Sequence, residues 1–239
     1  MKIDYSNQIR KELLQEMKTG VFSKSEKLPR ELELAKHFGI SRNHLREVLA
    51  QLEREGFITR IHGVGTIINH HVLQVKNRMD IEVEFLDIIR QSGYQSNVSS
   101  IHMQEEKANK YIAEKLQIAE DTDVIRVCRV CTANDRPAIY CEDVFEKRLI
   151  KETYTLKDLE PPIFHFLKKY CDVETYMDLT QLHAVLASEI VACALQIPEG
   201  TPLLNMEEID YDISGNIVFY SNQYFVENIF EQTVLRKKL

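Results

Sequence analysis

Residues 28–66 read LPRELELAKHFGISRNHLREVLAQLEREGFITRIHGVGT. Pro29 opens a short segment in which Leu34, Ala35 and Phe38 recur at helical spacing. Gly39 ends it, because a residue without a Cβ enters the left-handed conformation of a tight turn at no steric cost. Ser41 then offers an N-cap oxygen to another helix, along which Leu45, Val48, Leu49 and Leu52 form the buried stripe. Arg42, Asn43, His44 and Arg46 crowd the first turn and a half on its other faces, and Gly56 closes it. Beyond it, Phe57 to Ile61 and Thr66 to Ile68 read as two short strands around His62-Gly63-Val64-Gly65.

A helix, a short glycine turn, a helix that starts with basic and amide side chains, and a two-stranded wing make a winged helix-turn-helix. The last helix, ~22 Å long at 1.5 Å per residue, fits a DNA major groove with its N-terminal side chains at base edges. Arginine there suits guanine and asparagine suits adenine. Gly63 and Gly65 let backbone N–H groups approach phosphates, and His62 is placed to enter the adjacent minor groove. A solvated helix face is the plainer reading of any one of these residues. Turn, cap, basic start and wing agree, however, and that consistency favours the DNA reading.

The surrounding chain supports the assignment. From Tyr5 to Lys18, Ile9, Leu13, Leu14 and Met17 recur at helical spacing ahead of a Thr19-Gly20 stop, which predicts a first amphipathic helix. The net charge of −7 hides an asymmetry: residues 1–78 hold 14 Lys+Arg against 9 Asp+Glu, and residues 79–239 hold 16 against 28. A basic module joined to an acidic one points to a polyanion partner for the first alone. The 239 residues suffice for two modest domains, with residues 1–69 expected as the DNA-binding head, 70–80 as a polar linker and 81–239 as the second domain. No apolar run approaches a membrane span and no signal peptide is evident, so a cytoplasmic protein with no membrane partner is expected. Five cysteines, an odd number, give neither a disulfide framework nor paired zinc arms.

Residues 28–66, with the helix before them, resemble the winged helix-turn-helix of GntR-type bacterial transcription regulators. The resemblance implies that Arg42, Asn43, His44 and Arg46 are recognition-helix contacts and that His62 and Gly63 contact DNA from the wing. Two positions depart from the family. Arg30 stands where a small capping residue is usual, and Leu32 where an arginine is usual. The phosphate contact from the second helix is therefore reassigned to Arg30.

The second domain repeats itself. LQIAEDTDVIRVCRVCTANDRPAIYCEDVF at 116–145 matches LQIPEGTPLLNMEEIDYDISGNIVFYSNQYF from 195 at an offset of 79 residues. Each copy follows a helical segment and holds two strand-like runs around a turn, which predicts a helix-plus-hairpin unit used twice. Two such units share one antiparallel sheet with helices on one side, an α+β domain with a pseudo-twofold. Further helices near 82–91 and 162–170 and a strand near 98–105 complete it.

From about Phe85 to Leu235 the chain resembles the UTRA effector-binding domain of the HutC subfamily, a fold related to chorismate lyase. The resemblance implies a small-molecule pocket between the repeated units, a homodimer, and an inverted-repeat double-stranded DNA operator. The phosphosugar-binding version of that pocket is altered here. Its Arg-x-Arg is Arg129-Val130-Cys131, one carboxylate is Cys141, its Ser-x-Tyr is Pro162-Ile163-Phe164, and two late acids are Phe219 and Asn228. Arg129 remains, with Glu208 as its repeat-mate and expected neutralising partner. Arg129, Cys131, Cys141, Phe164, Phe219, Tyr220 and Tyr224 are the expected lining, which suits a less polar effector or one with a single carboxylate, and not a phosphosugar. Plain core packing is the competing reading of the aromatics.

Two other functions compete. Cys131 and Cys141, expected opposite each other on a hairpin, suggest a thiol-responsive regulator, although buried cysteines are usually inert. The chorismate-lyase-like fold and the run Glu207 to Asp212 suggest an enzyme with an accessory head, but alternation spreads those acids over both strand faces, and no nucleophile elbow, P-loop or dinucleotide motif occurs. No metal or cofactor is expected, since the adjacent His70 and His71 point apart. The expected protein is a homodimeric transcription regulator, not an enzyme, with repression as its sign.

Overall fold

A computed structural model describes residues 2–238, with side chains from Tyr5 onward. The chain forms two compact units: residues up to Glu82 together with those from Gln232, and Val83–Glu231.

In the first unit α1 (Lys2–Lys18), α2 (Glu31–His37) and α3 (Arg42–Arg54) precede β1 (Ile58–Ile61) and β2 (Gly65–Ile68). Ile9, Leu13 and Met17 of α1, Leu34 of α2 and Leu45, Leu49 and Leu52 of α3 fill one core, as their spacing predicts. Gly39 and Gly56 take positive φ at the two helix ends. β1 and β2 pair antiparallel, Ile58 opposite Ile68 and Ile61 opposite Gly65. A bridge between Lys27 and Ile67 adds one antiparallel pairing on the side of β2 away from β1. It is too short and polar to leave a strand signal.

Residues 70–80 are not an open linker. They carry α4 (His70–Leu73) and β3 (Asn77–Arg78), and β3 pairs in parallel with β10 (Gln232–Thr233). Polar sequence misled here because Arg78 is buried, with its guanidinium donating to Asp80 and to the Glu55 carbonyl and lying 5.1 Å from the Phe57 ring centroid. The C-terminal residues, expected with the second domain, pack in the first unit. Leu235 lies against its core, and Lys237 Nζ donates to the Arg54 carbonyl at 2.9 Å.

The second unit contains α5 (Phe85–Gln91), β4 (Ser96–Lys107), α6 (Lys110–Leu116), β5 (Asp123–Ala133), β6 (Arg136–Glu146), α7 (Ile163–Phe166), β7 (Met177–Leu186), α8 (Glu189–Leu195), β8 (Pro202–Tyr211) and β9 (Ile217–Phe225). The strands form one antiparallel sheet in the order β4-β5-β6-β9-β8-β7, with the two repeated hairpins meeting at β6 and β9. The fold is α+β. The repeat extends to backbone detail: α6 and α8 end on left-handed Gln117 and Gln196, at φ 53° and 54°. α6 and α8 cover one face through Ile112, Leu116, Val191 and Leu195. The segment around α7 covers the other, packing Phe166 and Leu167 on Ile125, Val127 and Phe219. The helix expected over 162–170 is α7 followed by a π-helical turn at Leu167–Cys171.

Candidate functional site

In the first unit, Ser41 caps α3 by accepting from the His44 backbone N–H at 3.2 Å. The buried stripe turns Arg42, Asn43 and Arg46 outward, and all three are exposed. The sequence-predicted set does not act alike. The Arg42 and Asn43 side chains are exposed and engage no partner among the described residues, whereas Arg46 Nε donates to Glu31 Oε2 at 2.7 Å. That pair ties α3 to α2 and holds the Arg46 guanidinium beside the helix start. The His44 ring is occupied, with Nε2 2.8 Å from Ser6 Oγ and the ring edge-on to Tyr5 at 5.4 Å. His44 is thus half-buried and braces α1 against α3.

Arg30 occupies the N-cap position of α2, where it makes no capping hydrogen bond with its side chain. Its side chain is exposed, and so is Leu32 two residues along. His62, Gly63 and Gly65 lie exposed at the wing tip, with both glycines at positive φ, 76° and 114°. Nothing lies within 4 Å of where their Cβ atoms would be, so the conformation, not crowding, requires glycine. Sequence reading missed Lys27, whose Nζ donates to the Val64 carbonyl at 3.3 Å and adds a cation to the wing base. It also missed Glu31 and Ser6, because long-range partners leave no periodic signal.

In the second unit the expected effector residues divide between the two faces of the sheet. Arg129, Cys141 and Gln223 are register neighbours across β5, β6 and β9, and Asp143, Ser221 and Glu208 form the next rung across β6, β9 and β8. Phe219 and Cys131 share this face, and Phe164 meets Phe219 with ring centroids 5.7 Å apart. Tyr220 and Tyr224 do not join them. Tyr220 packs against α6, with its hydroxyl donating to Glu207 Oε1 at 3.0 Å. Tyr224 packs near α8 and stacks on Tyr140 at 6.1 Å. The period of two makes this unavoidable, because Phe219 and Tyr220 are consecutive in one strand.

Arg129 is neutralised, but not by its repeat-mate. Its Nη2 donates to Asp143 Oδ2 at 2.7 Å and its Nη1 to the Pro161 carbonyl at 3.0 Å. Asp143 also accepts from Ser221 Oγ at 2.8 Å. Glu208 sits a strand further on, where the Gln223 amide and, at 3.1 Å, the Thr180 hydroxyl donate to it. Burial, then the nearby Asp178 charge, pushes the Glu208 carboxyl up to about 7. Asp143 went unnoticed because it directly follows Glu142, and two adjacent acids in a strand lie on opposite faces with nothing local to say which one is buried.

The cysteines are not opposite each other. Cys141 faces Arg129 and Cys131 faces Ile139, because the tight turn at Asn134-Asp135, with Ala133 opposite Arg136, sets a register in which Cys131 lies two residues away from the strand position facing Cys141. Both are buried, and burial raises the Cys131 thiol to about 11 and Cys141 well above its ordinary value. Thiols so protonated are poor nucleophiles. His70 Nε2 lies 2.9 Å from the Ser25 carbonyl, as a structural residue does. Among the described residues no helix is long and apolar enough to cross a membrane.

Comparison with known proteins agrees with this anatomy. The model of the bacterial regulatory proteins of the gntR family matches residues 5–68, and that of the UTRA domain matches residues 91–231. The uncharacterized regulator YurK of Bacillus subtilis is 28% identical over 56% of this chain and 54% of its own. A probable fructoselysine utilization operon repressor of Escherichia coli K12 is 22% identical over 96% of this chain and 93% of its own. The crystal structure of the possible regulator YydK from Bacillus subtilis superimposes with a TM-score of 0.77 at 21% identity, covering 97% of this chain and 99% of that one. A gntR-type head followed by a UTRA domain over more than half of the sequence places this chain in the GntR–UTRA family of bacterial transcription regulators.

Proposed function

We propose that the protein is a HutC-type homodimeric repressor whose first unit binds an inverted-repeat operator and whose second unit binds the small molecule that releases it. The observation that carries DNA binding is the capped start of α3, where Arg42 and Asn43 are exposed and unengaged and Glu31 holds Arg46 beside them. Arg30 and Lys27 supply phosphate-facing cations, and the wing glycines leave backbone N–H groups approachable. Replacing Arg42 or Arg46 by alanine is expected to weaken operator binding by about 1–3 kcal/mol with no loss of fold, measured by fluorescence anisotropy on a selected duplex. Unchanged affinity in both variants would sink the recognition-helix assignment. Affinity is also expected to fall steeply with salt.

Dimerisation is supported by β7, an edge strand that exposes Met177, Leu179, Leu182 and Leu186, with Leu179 62% and Leu186 69% accessible. Long apolar edges invite pairing, and the two-headed operator reading makes a second copy of this chain the occupant. Sedimentation of the full chain should give a dimer, and Leu179→Glu with Leu182→Glu should shift it toward monomer.

The effector is not a phosphosugar in this reading. A phosphate at Arg129 has to displace Asp143, a carboxylate already bonded to both Arg129 and Ser221. The mechanism is linkage: a ligand that prefers the arrangement unable to bind DNA weakens operator affinity by the factor by which DNA weakens the ligand.

A further inference from the structure

The sheet face opposite α6 and α8 carries an excess of negative groups. Asp143 faces Ser221, Ser221 faces Glu208 and Glu208 faces Thr180, while Asp210 faces both Asp178 and Phe219 in the neighbouring rung. Among the described residues, these rungs and the neighbouring Arg129-Cys141-Gln223 rung set one guanidinium, Arg129, against those four carboxylates, and Asp143 already neutralises it. Glu208 is engaged by an amide and a hydroxyl, and the charges that raise its carboxyl are Asp178 and Asp143. Such a surface repels an anion and attracts a cation.

The polar side chains beside Glu208 point to a ligand independently of that charge. Gln223, 3% exposed, donates its amide nitrogen to the Glu208 carboxylate and, at 3.1 Å, to Ser221 Oγ. Ser221 Oγ has given its one proton to Asp143 and can only accept, which fixes the amide orientation and leaves Gln223 Oε1 as a buried acceptor without a donor. Arg129, 5% exposed, has the complementary vacancy: both terminal nitrogens are engaged and Nε–H is not. Buried polar atoms are nearly always paired, and two orphans on one face, two strands and so ~10 Å apart, need partners from outside the chain. One needs a donor beside a carboxylate. The other needs an acceptor.

We propose that the effector is a small organic cation: a protonated amine that donates to Gln223 Oε1 and Glu208, on a skeleton bearing an oxygen that accepts from Arg129 Nε–H. The inference rests on the regulator reading above and names the chemistry of its effector. Amino acids and amino sugars share these features, and separate arms of the test distinguish them.

The full-length dimer is titrated calorimetrically with α-amino acids, ω-amino acids and amino sugars, each beside its N-acetyl counterpart, and with phosphosugars and dicarboxylates. The best ligand is expected to be a primary amine, with N-acetylation weakening it at least tenfold because the skeleton stays and the charge goes. Glu208→Gln should weaken the same amine about tenfold, and Gln223→Leu should do so independently. Glu207→Gln, on the opposite sheet face, should leave its affinity unchanged. The proposal is overturned if no amine binds, if the N-acetyl compound binds equally, if the best ligand is an anion, or if Glu208→Gln has no effect. Release of a selected operator duplex is followed in parallel. An anion that releases DNA overturns the amine and keeps the regulator, whereas an amine that binds through Glu208 without altering DNA affinity keeps the site and overturns the regulatory reading.

Discussion

At the scale of single residues, the energetics of the second unit turn on two carboxylates of one rung, on β6 and β8 with Ser221 of β9 between them. Asp143 is 1% exposed and holds the equally buried Arg129. Removing one member of a buried pair leaves an uncompensated charge, so Asp143→Ala is expected to cost about 3–5 kcal/mol, read as a lower urea midpoint. Glu208 has the opposite character. Burial, and after it the charge of Asp178 on β7 and of Asp143 on β6, raises its carboxyl to about 7, with Thr180 and Gln223 as its hydrogen-bonding neighbours and Arg129 already spent on Asp143. A carboxyl raised in the folded state binds its proton more tightly there than when unfolded. Its contribution is therefore full below the unfolded value near 4.5 and is lost as pH rises through about 7. On the order of 2 kcal/mol should disappear between pH 5 and 8 from this group, and the wild type should show a falling slope that Glu208→Gln lacks, measured by urea unfolding across that range.

At the scale of elements, α3 shows how much local sequence can specify. Its cap, its stripe Leu45-Val48-Leu49-Leu52 and its glycine stop are each local signals, and all are found where the spacing puts them. Ser41→Ala removes the oxygen that accepts from His44 N–H and is expected to cost about 1 kcal/mol, visible as a lower melting temperature of the head. β7 shows the converse. Read alone, MDLTQLHAVL has no alternation, because an edge strand exposed on both faces has no buried side to impose one. The repeat nevertheless contained it, since residues 98–107 of β4 moved by 79 positions fall on 177–186. The expected effector set divides at the same scale. Arg129, Cys131, Cys141, Phe164 and Phe219 do share one face, while alternation alone assigned Tyr220 to the other before any tertiary contact was considered. What no pattern could supply was the pairing of Arg129 with Asp143. It depends on the β5–β6 register, and a shift beside Cys131 sets that register.

At the scale of the whole molecule, the chain crosses between its two units twice, after Glu82 and again after Glu231. The second crossing brings β10 alongside β3 and carries the tail to the end of α3, where Lys237 donates to the Arg54 carbonyl and Leu235 packs against the core. A cation at the C-terminal end of a helix satisfies carbonyls that lack partners within it and sits favourably at its negative pole. The strand that enters this tail is β9, which bears Ser221 and Gln223 of the candidate effector site. One continuous segment, from Ser221 to Lys237, thus runs from that site to the base of α3, and a shift at β9 has a covalent route to it. Deleting the residues after Glu231 removes this route while leaving the sheet, the effector site and the first crossing in place. The expected result is a head that melts several degrees lower in calorimetry, a second unit whose transition and ligand affinity are unchanged, and operator binding that no longer responds to the ligand. Release undiminished in the truncated protein would assign the coupling to the first crossing, through β3 and the residues around Glu82.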